Sequence, residues 1–208
     1  MPRYYLDIET VPLGWDHGAP NDRSIIGDPT KNKIITIQYQ EIGFSTGDPV
    51  GELQILKEWE TSEEDIVTKF SKDFLPFDDV HNNFDKWKFV PVGNNLNFEW
   101  KHLTPKIKKY YGVDFDPLDK PAVDLKDVLI LINGGAFTGY PKVLGKNGSA
   151  SSMAKWYYNK DYHKIIDYIL DETESFHLAH QVMSYNLPSL KQLIAQRVGT
   201  SKDTGDLV

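Results

Sequence analysis

Tyr4-Tyr5-Leu6-Asp7-Ile8-Glu9-Thr10 is the stretch on which the reading of this chain turns. It is rich in aromatic and branched residues and stops at Val11, Pro12, Leu13 and Gly14, the pattern of a strand followed by a turn. Successive side chains of a strand point to opposite faces, so Asp7 and Glu9 share one face while Leu6 and Ile8 share the other. Two carboxylates so spaced are often no more than a solvated polar face. Here apolar residues flank them and the strand is expected at the centre of a sheet, where two unpaired carboxylates would cost several kcal/mol. A divalent cation is the natural compensation.

Outward from this strand, Lys33-Ile34-Ile35-Thr36-Ile37-Gln38-Tyr39-Gln40 reads as a second strand and residues 53–59 as a third, together an antiparallel meander. Ser62-Glu63-Glu64-Asp65 opens a helix by capping and dipole logic, with Ile66, Val67 and Phe70 on its apolar stripe and Pro76 beyond its end. Residues 88–92 form a short strand that stops at Gly93-Asn94-Asn95, and a helix over 98–111 follows despite Pro105. The order is βββαβα, an α/β pattern. The second half is richer in helix, with a short apolar helix or buried segment over 125–132 and a loop carrying Gly134, Gly135, Gly139, Gly145 and Gly148. A long helix is predicted from Tyr162 to about Ser184, with Ile165, Ile169, Phe176, Ala179 and Met183 on one face, then a terminal helix over 188–197. A single domain over 1–198 with a frayed tail over 199–208 is expected.

The chain has 208 residues, enough for one domain with a real core. It has no cysteine, which excludes disulfides, thiolate metal sites and a cysteine nucleophile and leaves carboxylates and histidines for any metal chemistry. The longest purely apolar run, residues 128–132, is far short of the roughly 20 residues that span a bilayer, so no membrane partner is expected. Residues 1–5 enter the first strand without a charged and apolar leader, which points to a cytoplasmic location. The net charge of −7 argues against a broad cationic face that clamps duplex DNA by counterion release.

Two further constellations carry chemistry. Gly93-Asn94-Asn95-Leu96-Asn97-Phe98-Glu99 lies at a strand-to-helix switch, where glycine permits close backbone approach and Glu99 falls in the first helical turn. A plain Gly-Asn turn with a dipole-favoured Glu99 fits the same residues. On the long late helix, Tyr168 shares a face with Asp171 at a step of three or with Glu172 at a step of four. At 100° per residue Glu172 falls inside the stripe of Ile165, Ile169 and Phe176 and Asp171 at its edge. A carboxylate within an apolar stripe needs a partner.

In this order, the three pieces resemble the DEDD (DnaQ-like) 3'-5' exonucleases of the ribonuclease-H-like superfamily, particularly the DNA-polymerase proofreading type. The first motif stands here as Asp7-Ile8-Glu9-Thr10, the second as Gly93-Asn94-Asn95-Leu96-Asn97-Phe98-Glu99, and the tyrosine-subtype third motif as Tyr168 with Glu172, Asp171 being one residue out of register. The chain departs from the pattern in two places: Glu99 and Glu172 stand where the family has aspartate. The resemblance implies a ribonuclease-H-like mixed sheet, three antiparallel strands and then parallel strands, flanked by helices. It further implies two Mg2+ or Mn2+ ions, with Asp7 bridging both, Glu9 and the third-motif acid (Glu172 or Asp171) on the ion that activates water, and Glu99 on the second. Tyr168 would then orient the attacking water. The implied substrate is the 3' end of single-stranded DNA or RNA, or a short oligonucleotide.

For substrate grip the chain offers aromatic rings and scattered lysines rather than a basic stripe; base stacking contributes about 1–3 kcal/mol per base. Asn95 and Phe98 of the second motif and Lys142 and Lys146 of the glycine-rich loop are the substrate-binding candidates, with core packing as the other reading of Phe98. The two glutamates at aspartate positions leave a second functional reading open, a degenerate nuclease-fold module that serves as a nucleic-acid or protein binding platform.

Overall fold

The long first strand, β1 (Arg3–Pro12), pairs antiparallel with β2 (Asn32–Ile42), and β2 pairs antiparallel with β3 (Pro49–Lys57). A computed structural model describes residues 2–15, 27–43, 46–75, 77–78, 83–84, 88–114, 116–119, 121–135 and 152–203. Ser62 caps the following helix, α1 (Glu63–Phe74), its Oγ accepting the Asp65 backbone N–H at 3.0 Å. The acidic first turn of α1 complements the helix dipole. A two-stranded ribbon, β4 (Phe77–Asp78) with β5 (Asn83–Phe84), stands apart from the main sheet.

The chain then returns as β6 (Val90–Gly93), which runs parallel to β1, and continues through α2 (Leu96–Tyr111) to β7 (Val123–Asp124), parallel to β6. Three helices complete the described fold: α3 (Leu125–Ile132), α4 (Met153–Tyr158) and α5 (Tyr162–Asp203). The main sheet has five strands in the order β3-β2-β1-β6-β7. Three antiparallel strands followed by parallel ones, flanked by helices, is the mixed α/β sheet expected from the sequence, and β1 is its central strand.

Each face of the sheet carries its own core. Leu6 and Ile8 of β1 join Ile37 and Tyr39 of β2 against Phe70 and Phe74 of α1 and Leu103 and Ile107 of α2. On the opposite face Tyr5 packs with Val92, Leu125, Leu129 and Phe176, and Val11 packs with Ile35, Met153, Ile165 and Ile169. The gap between those two clusters is where Asp7 and Glu9 stand. A bulge sharpens the arrangement: Glu9 pairs with Thr36 and Thr10 with Ile34, so Ile35 is the extra residue of β2 and fills the core beside Val11.

Several boundaries differ from the sequence expectation. The third strand ends at Lys57 rather than at Trp59; Glu58–Glu60 turn as a 3-10 helix, and Trp59 stacks on Tyr162 with centroids 4.6 Å apart. Helix α2 starts earlier than expected, at Leu96, because Asn95 adopts left-handed backbone (φ 73°) and turns the chain directly into the helix. The two expected late helices are a single helix of 42 residues that passes through Pro188 and reaches Asp203, beyond the position where fraying was expected. Proline removes one backbone donor, and the helix continues across that gap. Among the described residues no helix is long and apolar enough to cross a membrane.

Candidate functional site

The site is built on the polar stretch of the β1 face that turns toward α5. Asp7, Glu9 and Glu172 each offer a carboxylate oxygen, and these oxygens all lie within 4.8 Å of one another. Glu9 is buried, while Asp7 and Glu172 are half-buried. Glu172 reaches this group from α5 one turn beyond Ile169, whose side chain is sealed into the core below. The apolar stripe of α5 therefore docks the helix, and the acid inside it faces the two acids of β1. Asp171, the other acid the sequence left open, is exposed and lies outside the group.

Glu99 completes the cluster from the other side. It stands in the first turn of α2 and is only 3% exposed. Its carboxyl hydrogen-bonds to Asp7, and burial, followed by the negative charge of Asp7, pushes it well above the usual carboxylate range. Its Oε2 has no hydrogen-bond partner among the described residues. The approach of α2 to β1 is set at Gly93: a side chain there would place its Cβ 2.9 Å from the Leu6 carbonyl oxygen and collide with Leu96. Glycine is required at that point by space rather than by backbone angle.

Asp7 is held by its neighbours. Gln38, directly across the β1–β2 ladder, donates from Nε2 to Asp7 Oδ2 at 2.9 Å. Tyr5 donates its hydroxyl to the same oxygen at 3.3 Å and accepts from Thr173 Oγ1 of α5 at 3.4 Å. Burial and the Asp7 charge keep the Tyr5 hydroxyl protonated far above neutral pH. Further along the same face, His177 of α5 pairs its Nε2 with Gln40 Oε1 at 2.8 Å and packs against the Tyr5 ring. Burial lowers the His177 pKa to about 4, so the ring is neutral at pH 7.

The remaining sequence candidates fall as follows. Tyr168 is half-buried one helical turn before Glu172, its ring 6.2 Å from that of Trp156. Asn95 occupies the turn that starts α2, where its Oδ1 accepts from Lys126 Nζ at 2.7 Å. Phe98 is half-buried against the core under α2, with its ring 4.4 Å from His102. Lys142 and Lys146 lie outside the described residues.

Sequence reasoning passed over Gln38, Tyr5, Thr173 and His177. A signal for Gln38 was present: Thr36, Gln38 and Gln40 alternate with Ile35, Ile37 and Tyr39 along β2, and all three are buried. Buried polar residues at a period of two mark the face that opposes Asp7 and Glu9.

The donor set is oxygen only, carboxylates from three separate elements with an unpartnered Glu99 oxygen among them, which fits a hard divalent cation such as Mg2+ or Mn2+. Several acids crowded together repel one another when ionised, and that repulsion is the physical reason for such a site to take up cations.

No family model and no curated protein matches this sequence. Among solved structures, E. coli Exonuclease I in complex with a dT13 oligonucleotide aligns over 93% of this chain and 43% of its own, with a TM-score of 0.52 and 13% identity. The two share the fold. An apo Exonuclease I aligns over 64% of this chain and 30% of its own, with a TM-score of 0.42 and 13% identity. The chain thus spans less than half the length of these exonucleases, and at this identity the likeness speaks to the α/β architecture and not to the reaction.

Proposed function

We propose that this chain is a metal-dependent 3'-5' exonuclease that hydrolyses phosphodiester bonds at the 3' end of single-stranded DNA or RNA. The observation that carries the reading is the meeting of Asp7, Glu9 and Glu172 within 4.8 Å on an exonuclease-like sheet, with Glu99 against Asp7. These residues are separated by up to 165 positions in sequence, and acids gathered at one point repel one another when ionised, a repulsion that bound cations offset.

Asp7, Glu9, Glu99 and Glu172 would hold two divalent ions, Mg2+ or Mn2+. Bound there, the ions would supply a hydroxide at neutral pH and stabilise charge on the leaving 3' oxygen. Gln38 and Tyr5 fix Asp7 through Oδ2 and so orient its carboxylate toward the cluster. Tyr168, one turn before Glu172 on α5, would position the attacking water. Asn95 and Phe98 border the entry to α2, and with Lys142 and Lys146 are proposed to contact the substrate strand.

A 5'-labelled single strand incubated with Mg2+ or Mn2+ tests this reading. Stepwise shortening from the 3' end, with no cutting of a circular strand and little of blunt duplex, is expected. Cutting of the circle would make the chain an endonuclease and overturn the 3' assignment.

A second reading rests on Glu99 and Glu172, which stand where the resembled exonucleases have aspartate. In that case the chain is a nuclease-fold platform that binds nucleic acid or protein without cutting. Manganese binding separates the two: uptake of two ions supports the enzyme, and no uptake supports the platform.

A further inference from the structure

The carboxylate of Asp124 sits at the end of β7, and it serves three backbone donors from two helices at once. Its Oδ1 accepts the Asn95 N–H at 2.8 Å and the Lys126 N–H at 3.0 Å, and its Oδ2 accepts the Leu96 N–H at 2.9 Å. The Lys126 bond is an ordinary N-cap for α3. The other two reach across the sheet from β7 to the start of α2, about 28 residues away in sequence, and satisfy donors that α2 leaves open at its first turn. Asn95 itself offers no side-chain cap to α2; its Oδ1 is engaged by Lys126 Nζ at 2.7 Å, which adds a second tie between the two helix starts.

We propose that Asp124 is a positioning residue for the acidic cluster: by clamping Asn95 and Leu96 it fixes the first turn of α2 and thereby the place where Glu99 meets Asp7. Glu99 lies one turn beyond Leu96, on a helix whose start rests on a left-handed residue at Asn95. The Asn95 side chain makes no cap hydrogen bond of its own to that turn. Loss of the clamp leaves two helix-terminal donors to water and lets the first turn shift, and a displaced Glu99 carboxyl no longer completes a cation site. Lys126 supports the same turn through Asn95 and contributes less, because it holds a side chain rather than the helix backbone.

This inference rests on the reading of the cluster as a cation site, and the experiment keeps the two separable. Mn2+ alone is titrated by calorimetry into the full chain, without nucleic acid, for the wild type, Asp124→Asn, Lys126→Met, Glu99→Gln, the Asp124→Asn/Glu99→Gln double variant and Ser62→Ala. Thermal unfolding is followed for each. Asp124→Asn retains one acceptor oxygen and is expected to weaken Mn2+ binding about 10-fold or more. Lys126→Met should weaken it by a smaller factor, and it keeps the proposal testable if Asp124→Asn does not fold. Ser62→Ala removes a helix cap on α1, away from the cluster, and should lower the melting temperature while leaving Mn2+ binding unchanged. Because Asp124 acts through Glu99, the double variant should bind Mn2+ no more weakly than Glu99→Gln alone. Wild-type Mn2+ affinity in both Asp124→Asn and Lys126→Met, or losses from Asp124→Asn and Glu99→Gln that multiply, would overturn the positioning role and leave the metal site standing. A wild-type chain that takes up no Mn2+ would overturn the metal reading and this role with it.

Discussion

The two faces of β1 are made from alternate residues of one short segment, yet they obey different rules. Leu6 and Ile8 face a core of hydrocarbon and rings, in which Phe70, Phe74 and Phe89 meet one another, and Phe74 and Phe89 meet Tyr4, at centroid separations of 4.4–5.7 Å. What matters there is volume and fit, and a residue of similar size and hydrophobicity would serve. On the other face Tyr5 and Val11 are core residues, and between them Asp7 and Glu9 are half-buried or buried among polar side chains. Asp7 Oδ2 accepts from Tyr5 and Gln38, and the Tyr5 hydroxyl in turn accepts from Thr173. A face that stations carboxylates beside one another in the interior gives up stability.

The sharpest break in this comparison is expected from Asp7→Asn. Asparagine keeps an oxygen for Gln38 and Tyr5 and removes the negative charge beside Glu9, Glu99 and Glu172. Hydrolysis of a 5'-labelled strand should fall on the order of a thousandfold or more. The metal-free protein should melt no lower than wild type, since like-charge repulsion is relieved. A markedly lower melting temperature would show that the acid face is structural.

The apolar face should respond in the opposite way. Phe70→Ala removes a fully buried ring and should lower unfolding free energy by about 3–5 kcal/mol in urea titrations, with the rate per folded molecule unchanged. A loss of rate per folded molecule would mean that the two faces are coupled through β1.

Within α5 the comparison sharpens to adjacent residues. Glu172→Gln should slow hydrolysis on the order of a hundredfold, because a charged ligand becomes a neutral one, while the exposed Asp171→Asn should stay near wild type. The reverse ranking would move the third motif to Asp171.

The smallest effect concerns acid stability at the far end of the polar face. Burial holds His177 neutral, with its pKa at about 4, against about 6.5 in an unfolded chain. A depressed value means that the unfolded state takes up the proton first, so this contribution is full above about pH 6.5 and is lost as the pH falls toward 4. The melting temperature of His177→Gln should therefore drop less than that of wild type between pH 6.5 and 4. An equal drop in both would show that His177 does not carry this sensitivity.

Much of the fold was legible because it is written in local patterns. Alternation at residues 4–10 separates the two faces of β1, Ser62 marks the start of α1, and the apolar spacing of Ile165, Ile169 and Phe176 marks the docking face of α5. Glu172 was legible for the same reason: an acid within that stripe needed a partner, and Asp7 and Glu9 stand opposite it. Local rules failed where a longer element overrode them. Pro188 reads as a helix boundary, yet α5 already has about seven turns behind it and propagates through the missing donor.

The sequence by itself determined which side chains of β1 share a face and which acids occur in motif order, because a strand's period of two and a helix's 100° step are properties of the backbone alone. Only the tertiary structure decided that these acids meet. Glu99 faces Asp7 because β6 pairs in parallel with β1 and Gly93 lets α2 close to the Leu6 carbonyl. Asp124 reads in sequence as no more than a cap for α3; its hold on Asn95 and Leu96 exists because β7 lies beside β6. Such contacts join residues tens to hundreds of positions apart, and their energy depends on a register and a distance that no local spacing encodes.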